Sequence, residues 1–498
     1  MRIFLGIILF TIFLLMSNIC SQLAVDYHIP LVNTERGGLV GNGITDLVWA
    51  NSMLYVGTGY GLSITSDEGD TWQNFTEKQY GGKGGISALT NDQDGTIWIA
   101  TGYDTTVQED QTLSAGGGLR YHLPGSVEWV YIPQPKDAIT DTMGGMKPTT
   151  THVQNITFDI ALLDTQIWIV SFGGGIRRSM DMGNSWEVIT TDGLPFSAGD
   201  NLNHRGFSAM TENGNIWIGT AGGISKSSDD GESWERFYVG ADQNPEPNGI
   251  SGNWVIALAY NPWDNSVWAI TLSTGGNEFN AISRTLNDGL TWQNLLVDEL
   301  SDGTFARNIA FYNSAVYVAT EKGVYKTVDG GLSWYKFPTI IDQVTGERLL
   351  TQEFYSVATS SAEASLHRVW FGSSDGLGTS ADNGYSWTVF RSFVSTRVRT
   401  DPKVYAYPSP FSPERGMIVR FQYDITSAGE VVIDIYNFAM ESVIKIKEYE
   451  SSPIGNTLDR SASWDGRDTN GRMVDNGVYF FRANVNGNIS WGKIVVIN

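Results

Sequence analysis

Between residues 44 and 393 the chain is built from short apolar–polar alternations, with few stretches carrying the 3.6-residue period of an amphipathic helix. One kind of alternating run recurs seven times: ITDLVWA at 44–50, ISALTND at 86–92, ITFDIAL at 156–162, FSAMTEN at 207–213, VIALAYN at 255–261, NIAFYNS at 308–314 and YSVATSS at 355–361. Each is followed by an aromatic-rich run with a Gly turn: LYVGTGYGL from Leu54, IWIATG from Ile97, IWIVSFGGGI from Ile167, IWIGTAGGI from Ile216, VWAITL from Val267, VYVATEKGV from Val316 and VWFGSSDGL from Val369. Each unit closes on a turn and a tryptophan: TSDEGDTW at 65–72, the degenerate LPGSVEW at 123–129, SMDMGNSW at 179–186, SSDDGESW at 227–234, TLNDGLTW at 285–292, TVDGGLSW at 327–334 and SADNGYSW at 380–387. The pattern predicts four strands per unit: a small-residue inner strand, an aromatic-rich second, a third after the Gly turn and a fourth starting at the Trp.

Four antiparallel strands repeated seven times predict an all-β ring, a seven-bladed β-propeller, in which radial repetition hides the sheet edges. A solenoid is the alternative; the short, small-residue inner strands argue against a flat stack. In the turn, an Asp two residues before a Gly can accept backbone N–H bonds while the Gly supplies positive φ. The flanking hydroxyls can bond across the hairpin, and the Trp offers an apolar plate between blades. Asn287 in the Asp place still accepts such bonds but cannot act as a carboxylate base. The acids at Asp67, Asp181, Asp229, Asp329 and Asp382, with Asn287, are therefore expected to be structural. No acid stands at the closing position of an EF-hand loop, so no metal site is expected.

These octapeptides resemble the Asp-box, or BNR repeat, of sialidases, sortilin-type receptors, xyloglucan-degrading propellers and the photosystem II assembly factor propeller. Five units match every position, and the resemblance covers roughly residues 39–393. It implies the fold and is nearly silent about chemistry. A sialidase-like site would need three arginines, a Tyr nucleophile with a Glu partner and an acid Asp. Arg205 and Arg307 stand at suitable places, no third arginine does, and the Phe/Tyr-Arg-Ile-Pro motif is absent, its nearest text lying around Arg36. The xyloglucan-degrading cleft lies between paired propellers, and only one is expected here.

Strand order places the turns with the boxes on one rim. The long segments 103–117, 133–152, 190–205, 239–253 and 340–354 fall on the other, where long loops on a rigid scaffold bind ligands. At the starts of the inner strands the sequence sets Asp46, His152, Gln154, His204, Arg205, Trp254, Arg307, Asn308 and Tyr355. From these, Asp46, His152, His204, Arg205, Trp254, Arg307 and Tyr355 are the candidate binding set, polar and aromatic as sugars or peptides require. Capping of strand ends is the competing reading.

Composition narrows the partners. With 32 Lys and Arg against 54 Asp and Glu, a net charge of −22, phosphate neutralisation is out of reach and nucleic acid is not an expected partner. The same acidity does not match the basic surface of the photosystem assembly family. The five histidines lack metal-ligand spacing, and neither a phosphate loop nor a Gly-x-Ser-x-Gly elbow occurs. No cofactor is expected. The apolar run from Ile3 to Met16 after Arg2 predicts a secretory signal peptide over 1–21, too short to span a membrane comfortably. Cleavage there removes Cys20, the single cysteine, and with it disulfides and thiol chemistry. Lipidation of Cys20 is the alternative, with Ile19 where a small residue is wanted.

After 37–394 a linker is expected over 395–406, then a small β-sandwich over 407–498. Its segments YPSPF at 407–411, WDGRD at 464–468 with NGR at 470–472, and GVYF at 477–480 resemble the Ig-like domain of the FlgD flagellar hook-capping protein. The terminal Lys-Ile-Val-Val-Ile resembles the sorting domains of type IX secretion. The resemblance implies export or surface attachment, a spacer being the alternative. Asp465, Asp468 and Asn470 read as turn residues rather than Ca²⁺ ligands. The expected protein is secreted or held at a bacterial surface, probing glycan or protein as a monomer and without catalysis. The alternative is a glycoside hydrolase, sialidase-like, with its site in the ring's channel.

Overall fold

The computed structural model describes residues 37–498 except 93, 109–110, 241–244, 345–346, 361–366, 394–403, 416, 426 and 451–458. The expected signal peptide, Arg36 and most of the linker lie outside the described residues. Within them, seven sheets of four antiparallel strands follow one another, each ordered as in the sequence. The inner strands are Ile44–Ala50, Gly85–Asn91, Thr157–Leu163, Gly206–Glu212, Trp254–Asn261, Ala306–Tyr312 and Phe354–Thr359. Each packs on the next, and the last packs on the first, so the sheets close a ring as blades 1 to 7. The chain at Gly37–Gly38 pairs with Ser392–Phe393 after the last blade and ties the ends. No helix among the described residues is long and apolar enough to cross a membrane, which says nothing of β-barrels.

Two details differ from the sequence reading. Within 103–117, residues 103–108 and 111–117 form not a loop but a ladder, with Tyr103 opposite Ala115, Thr105 opposite Leu113 and Thr106 opposite Thr112. Its β-branched residues favour extended pairing over a coil. The fourth strands begin one residue after the tryptophan, at Glu235 in blade 4 and Thr388 in blade 7, because the Trp side chain belongs to the turn.

The core lies between blades. The second strands contribute Trp98, Trp168, Trp217, Trp268 and Trp370, all fully buried. One apolar cluster joins blade 7 to blade 1 through Trp370, Leu377, Ile44 and Leu54. The turn tryptophans meet aromatic rings edge-on across the same seams: Trp72 with Phe390 (5.5 Å), Trp129 with Phe75 (5.7 Å), Trp234 with Trp168 (6.0 Å) and Trp387 with Phe337 (5.5 Å between centroids).

The turn itself is knitted by its acid. Asp229 Oδ1 accepts from Ser227 Oγ (2.7 Å) and Ser233 N (2.9 Å), and Oδ2 from Ser233 Oγ (2.5 Å). Ser227 Oγ in turn accepts from Gly231 N at 2.8 Å. These bonds, first the Ser233 hydroxyl and then its backbone N–H, lower the Asp229 pKa to about 2. Asp67, Asp181, Asp329 and Asp382 accept from the equivalent hydroxyls and N–H groups. Asn287 keeps the Thr291 N–H bond (2.9 Å) and reaches the Thr291 hydroxyl with its amide.

The residue before the turn glycine is left-handed, with φ of 63° at Glu68, 58° at Asp230, 59° at Asp288 and 64° at Asn383. That shape pushes the turn against the preceding blade. A Cβ on Gly231 would stand 2.6 Å from Trp168, and one on Gly384 2.2 Å from Phe337. Cations on the preceding blade complete the joint. Arg178 lies 5.5 Å over Trp168 and donates to Asp230 O, while Arg284 lies 5.1 Å over Trp268 and donates to Gly330 O. Lys226 lies over Trp217 and pairs with Asp288, and Lys326 lies over Tyr317 and donates to Asn383. Arg368 pairs with Glu68 across the closing seam.

The C-terminal region forms a three-stranded sheet (Tyr405–Tyr407, Val419–Asp424, Asp459–Trp464) facing a four-stranded one, with Ser442–Glu450, Gly429–Tyr436, Gly477–Val485 and Asn488–Val496 side by side. Phe421, Tyr423 and Trp464 of the first share a core with Ile433, Ile435, Phe481 and Ile494 of the second. Asp468 accepts from Asn470 N and Arg472 N within its own turn. The sandwich is docked on blade 7 by buried charges. Arg420 grips Asp375 at 2.6 and 2.9 Å, Arg391 adds a second guanidinium, and Ser461 donates to Glu347 at 2.7 Å. Burial opposes the Asp375 charge, but the two guanidiniums hold its pKa below the ordinary value.

Thermal or chemical unfolding checks the joint. Asp382→Asn, which copies the Asn287 turn, is expected to cost below ~1 kcal/mol at neutral pH. Gly384→Ala, which forces both a positive φ and a clash with Phe337, is expected to cost ~2 kcal/mol or more.

Candidate functional site

Every inner strand carries a β-bulge near its start, which frees one residue from the ladder and re-aims its side chain. The seven residues are Thr45, Ser87, Phe158, Phe207, Ile256, Arg307 and Tyr355. By strand direction they stand on the rim opposite the acid-bearing turns, at the mouth of the ring's axis. All but Phe207 keep partial solvent exposure. This collar has two characters. Blades 3 to 5 present Phe158, Phe207 and Ile256, while blades 6, 7, 1 and 2 present Arg307, Tyr355, Thr45 and Ser87.

The apolar half continues outward as an aromatic chain. Phe158 stacks on Phe207 (5.7 Å), Phe172 lies 6.3 Å from Phe207, Trp254 5.6 Å from Phe207, and Phe305 6.4 Å from Trp254. Both of its ends meet a guanidinium. Arg205 lies 5.0 Å over Phe172, and Arg307 lies 6.0 Å over Phe305 and 5.6 Å over Tyr355. Arg307 is paired with Glu321, and the Tyr355 hydroxyl donates to Glu353 at 2.8 Å. Burial first, then Glu353, raises the Tyr355 pKa.

Arg307 and Tyr355 are thus in contact, while Arg205 stands at the far end of the aromatic chain and Trp254 is packed within it at 5% exposure. His204 is not. It is fully buried, accepts from Ser197 N through Nδ1 (2.9 Å) and meets Asp192 through Nε2 (3.1 Å), which makes it a strut of the 190–205 connection rather than a ligand contact. His152 sits away from the collar beside the blade-2 hairpin, where its carbonyl accepts from Gly116 N and burial lowers its pKa, with Lys136 adding to the effect. Asp46 is a cross-blade clip: its oxygens accept from Leu47 N (2.8 Å) and from Leu89 N of blade 2 (3.0 Å). Phe158, Phe172, Phe207 and Phe305 were missed in the sequence. Only the bulge, which shifts the period-two alternation by one, distinguishes the half-buried Phe158 from a core position, and Phe207 remains in the core.

Asp159 repeats the Asp46 clip, accepting from Ile160 N and from Ala209 N of blade 4, and Asn308 accepts from Val357 N of blade 7. Both acids keep some solvent contact yet are crowded by protein. Desolvation pushes Asp46 up to about 6 and Asp159 to about 7, the Asp46 charge adding to the latter. Glu109 and Asp110 lie outside the described residues. Among those described, no group of three or more His, Cys, Asp or Glu could hold a metal ion.

No family model and no curated protein matches this sequence. Solved structures do resemble the chain. A GH74 enzyme of Niastella koreensis shares 13% identity over 94% of this chain and 74% of its own, with a TM-score of 0.50. An ancestral GH74 enzyme shares 13% over 93% and 64%, with a TM-score of 0.51. PorZ, a surface component of the type-IX secretion system of Porphyromonas gingivalis, shares 15% over 94% and 61%, with a TM-score of 0.43. The chain has a β-propeller fold. It spans about three fifths of the length of the PorZ chain, and at these identities the likeness extends to the fold alone.

A carboxyl whose folded pKa exceeds the unfolded 3.8 favours the fold while protonated; that contribution is complete below about pH 4 and is lost as pH rises through about 6 to 7. Asp46→Asn and Asp159→Asn remove the titrating proton but leave one accepting oxygen for two backbone N–H groups. Each is expected to be less stable than wild type near pH 4 and to lose the wild-type fall in stability between about pH 4 and 7, measured by unfolding midpoints across pH.

Proposed function

We propose that this chain is a secreted or surface-held bacterial protein whose propeller binds a glycan or an extracellular protein without catalysis. The collar carries the reading: aromatic faces flanked by two guanidiniums, at the axial mouth of a rigid ring, suit recognition of sugars or peptide side chains. The wider organisation belongs to the same proposal: signal peptide 1–21, a seven-bladed Asp-box ring over 37–394, linker 395–406 and an Ig-like sorting domain over 407–498 that engages secretion machinery, in a monomer. Support for the last part is the YPSPF, WDGRD and GVYF resemblance and the C-terminal Lys-Ile-Val-Val-Ile.

The carboxylates at the axis argue against hydrolysis. Asp46 and Asp159 spend their oxygens on backbone N–H groups, and Glu321 is paired with Arg307. One observation favours the glycosidase alternative, the Tyr355–Glu353 hydrogen bond beside Arg307. A glycan array and a panel of aryl glycosides, including sialosides, separate the two readings. Binding without turnover, weakened about tenfold or more by Phe158→Ala with Phe172→Ala, is the expected result. Turnover lost in Tyr355→Phe would replace binding by catalysis.

A further inference from the structure

Arg120, on the third strand of blade 2, is fully buried. Its Nη1 donates to Thr101 Oγ1 (2.7 Å) and Gly118 O (3.0 Å). Among the described residues, Nε and Nη2 have no hydrogen-bond partner. The cation is held by ring faces instead, with Cζ 4.7 Å from the Tyr131 centroid and 5.7 Å from that of Tyr80. Ring faces attract the charge but leave the in-plane N–H groups unmet. Arg177, Arg391 and Arg420, also buried, each meet a carboxylate. A buried guanidinium lacking one is costly, because two donors are stripped of water with nothing in exchange.

Nε–H and Nη2–H form one edge of the guanidinium, the edge that grips an oxyanion with two parallel bonds. Over that edge lies the glycine loop of KQYGGKGG at 78–85. A Cβ on Gly82 would stand 1.4 Å from Nη2 and 3.2 Å from Nε, so only glycine fits there. Gly81, Gly82 and Gly84 hold φ of 72°, 86° and 90°. Residues 81–83 are exposed, and Lys83 extends its ammonium to 5.5 Å over Tyr103 of the blade-2 ladder. The unmet donors are thus separated from solvent by a glycine backbone that carries a second cation.

We propose that Arg120 is the floor of an oxyanion-binding site on the blade-2 side of the loop rim, with the 81–84 loop as its cover and Lys83 as its second cation. The ligand group is a sulfate, a phosphate or a sugar carboxylate, received side-on by Nε and Nη2 once Gly82 moves aside. The site shares no residue with the collar and stands or falls independently of it. Thermal unfolding of the full chain tests it in sodium sulfate, phosphate or glucuronate, each against sodium chloride at equal ionic strength. At least one oxyanion is expected to raise the midpoint with the logarithm of its concentration, and which one does so identifies the ligand group. Arg120→Lys keeps a charge without the fork and is expected to weaken binding about tenfold; Lys83→Gln, on an exposed loop, about threefold. Calorimetric titration of the Lys83→Gln protein provides the same comparison if Arg120→Lys does not fold. No oxyanion-specific rise up to about 100 mM, or an equal response in wild type and both variants, overturns the proposal.

Discussion

The structure depends on the joint between one blade and the next. A single four-stranded sheet leaves two apolar faces uncovered, and only its neighbours can bury them. The acid-bearing turn before the fourth strand makes that contact close. Its acid binds the hydroxyls and N–H groups of its own turn, which fixes the left-handed residue and the glycine beyond it. The glycine then lies against an aromatic or aliphatic side chain of the preceding blade, where no Cβ fits. The turn tryptophan fills the seam, and a cation stacked on the preceding blade's aromatic residue reaches across to the turn. The acid acts on the fold by shaping a turn whose packing surface is a glycine.

Because that machinery occupies one rim, the other is free to vary. There the bulges release one side chain per blade at the axial mouth, and the seven identities differ as a conserved packing position would not permit. Aromatic residues gather on three consecutive blades, and arginines close the arc. The clips made by Asp46, Asp159 and Asn308 lie just beneath and tie inner strand to inner strand. Two of them retain acids whose ionisation burial opposes.

The C-terminal sandwich meets this rim through the same logic of satisfied charge. Asp375 lies in the turn between the second and third strands of blade 7, and two arginines from two parts of the chain converge on it. Removing one partner would strand a buried carboxylate, so the contact is specific even where its net contribution is small. Arg120 is the contrasting case on the same rim, a buried guanidinium that meets ring faces and no carboxylate.

The sequence alone determined what repeats. Alternation, Gly turns and the S/T-x-D-x-G-x-S/T-W spacing carry strand count, strand order and rim assignment, because these follow from local periodicity and turn chemistry. It also placed Arg307 and Tyr355 at the openings of successive inner strands, where they meet. Tertiary structure alone decided which of the candidates stand at the axial mouth. His204 and Asp46 look like site residues in a line of text and prove to be held, His204 by Asp192 and Ser197 of its own connection and Asp46 by Leu89 across a blade seam. Phe158 looks like core and keeps partial exposure because one unpaired residue shifts the alternation, while Phe207, released in the same way, stays buried against it. Burial and partner choice depend on the neighbouring blade, which lies some fifty residues away, beyond the reach of any local pattern.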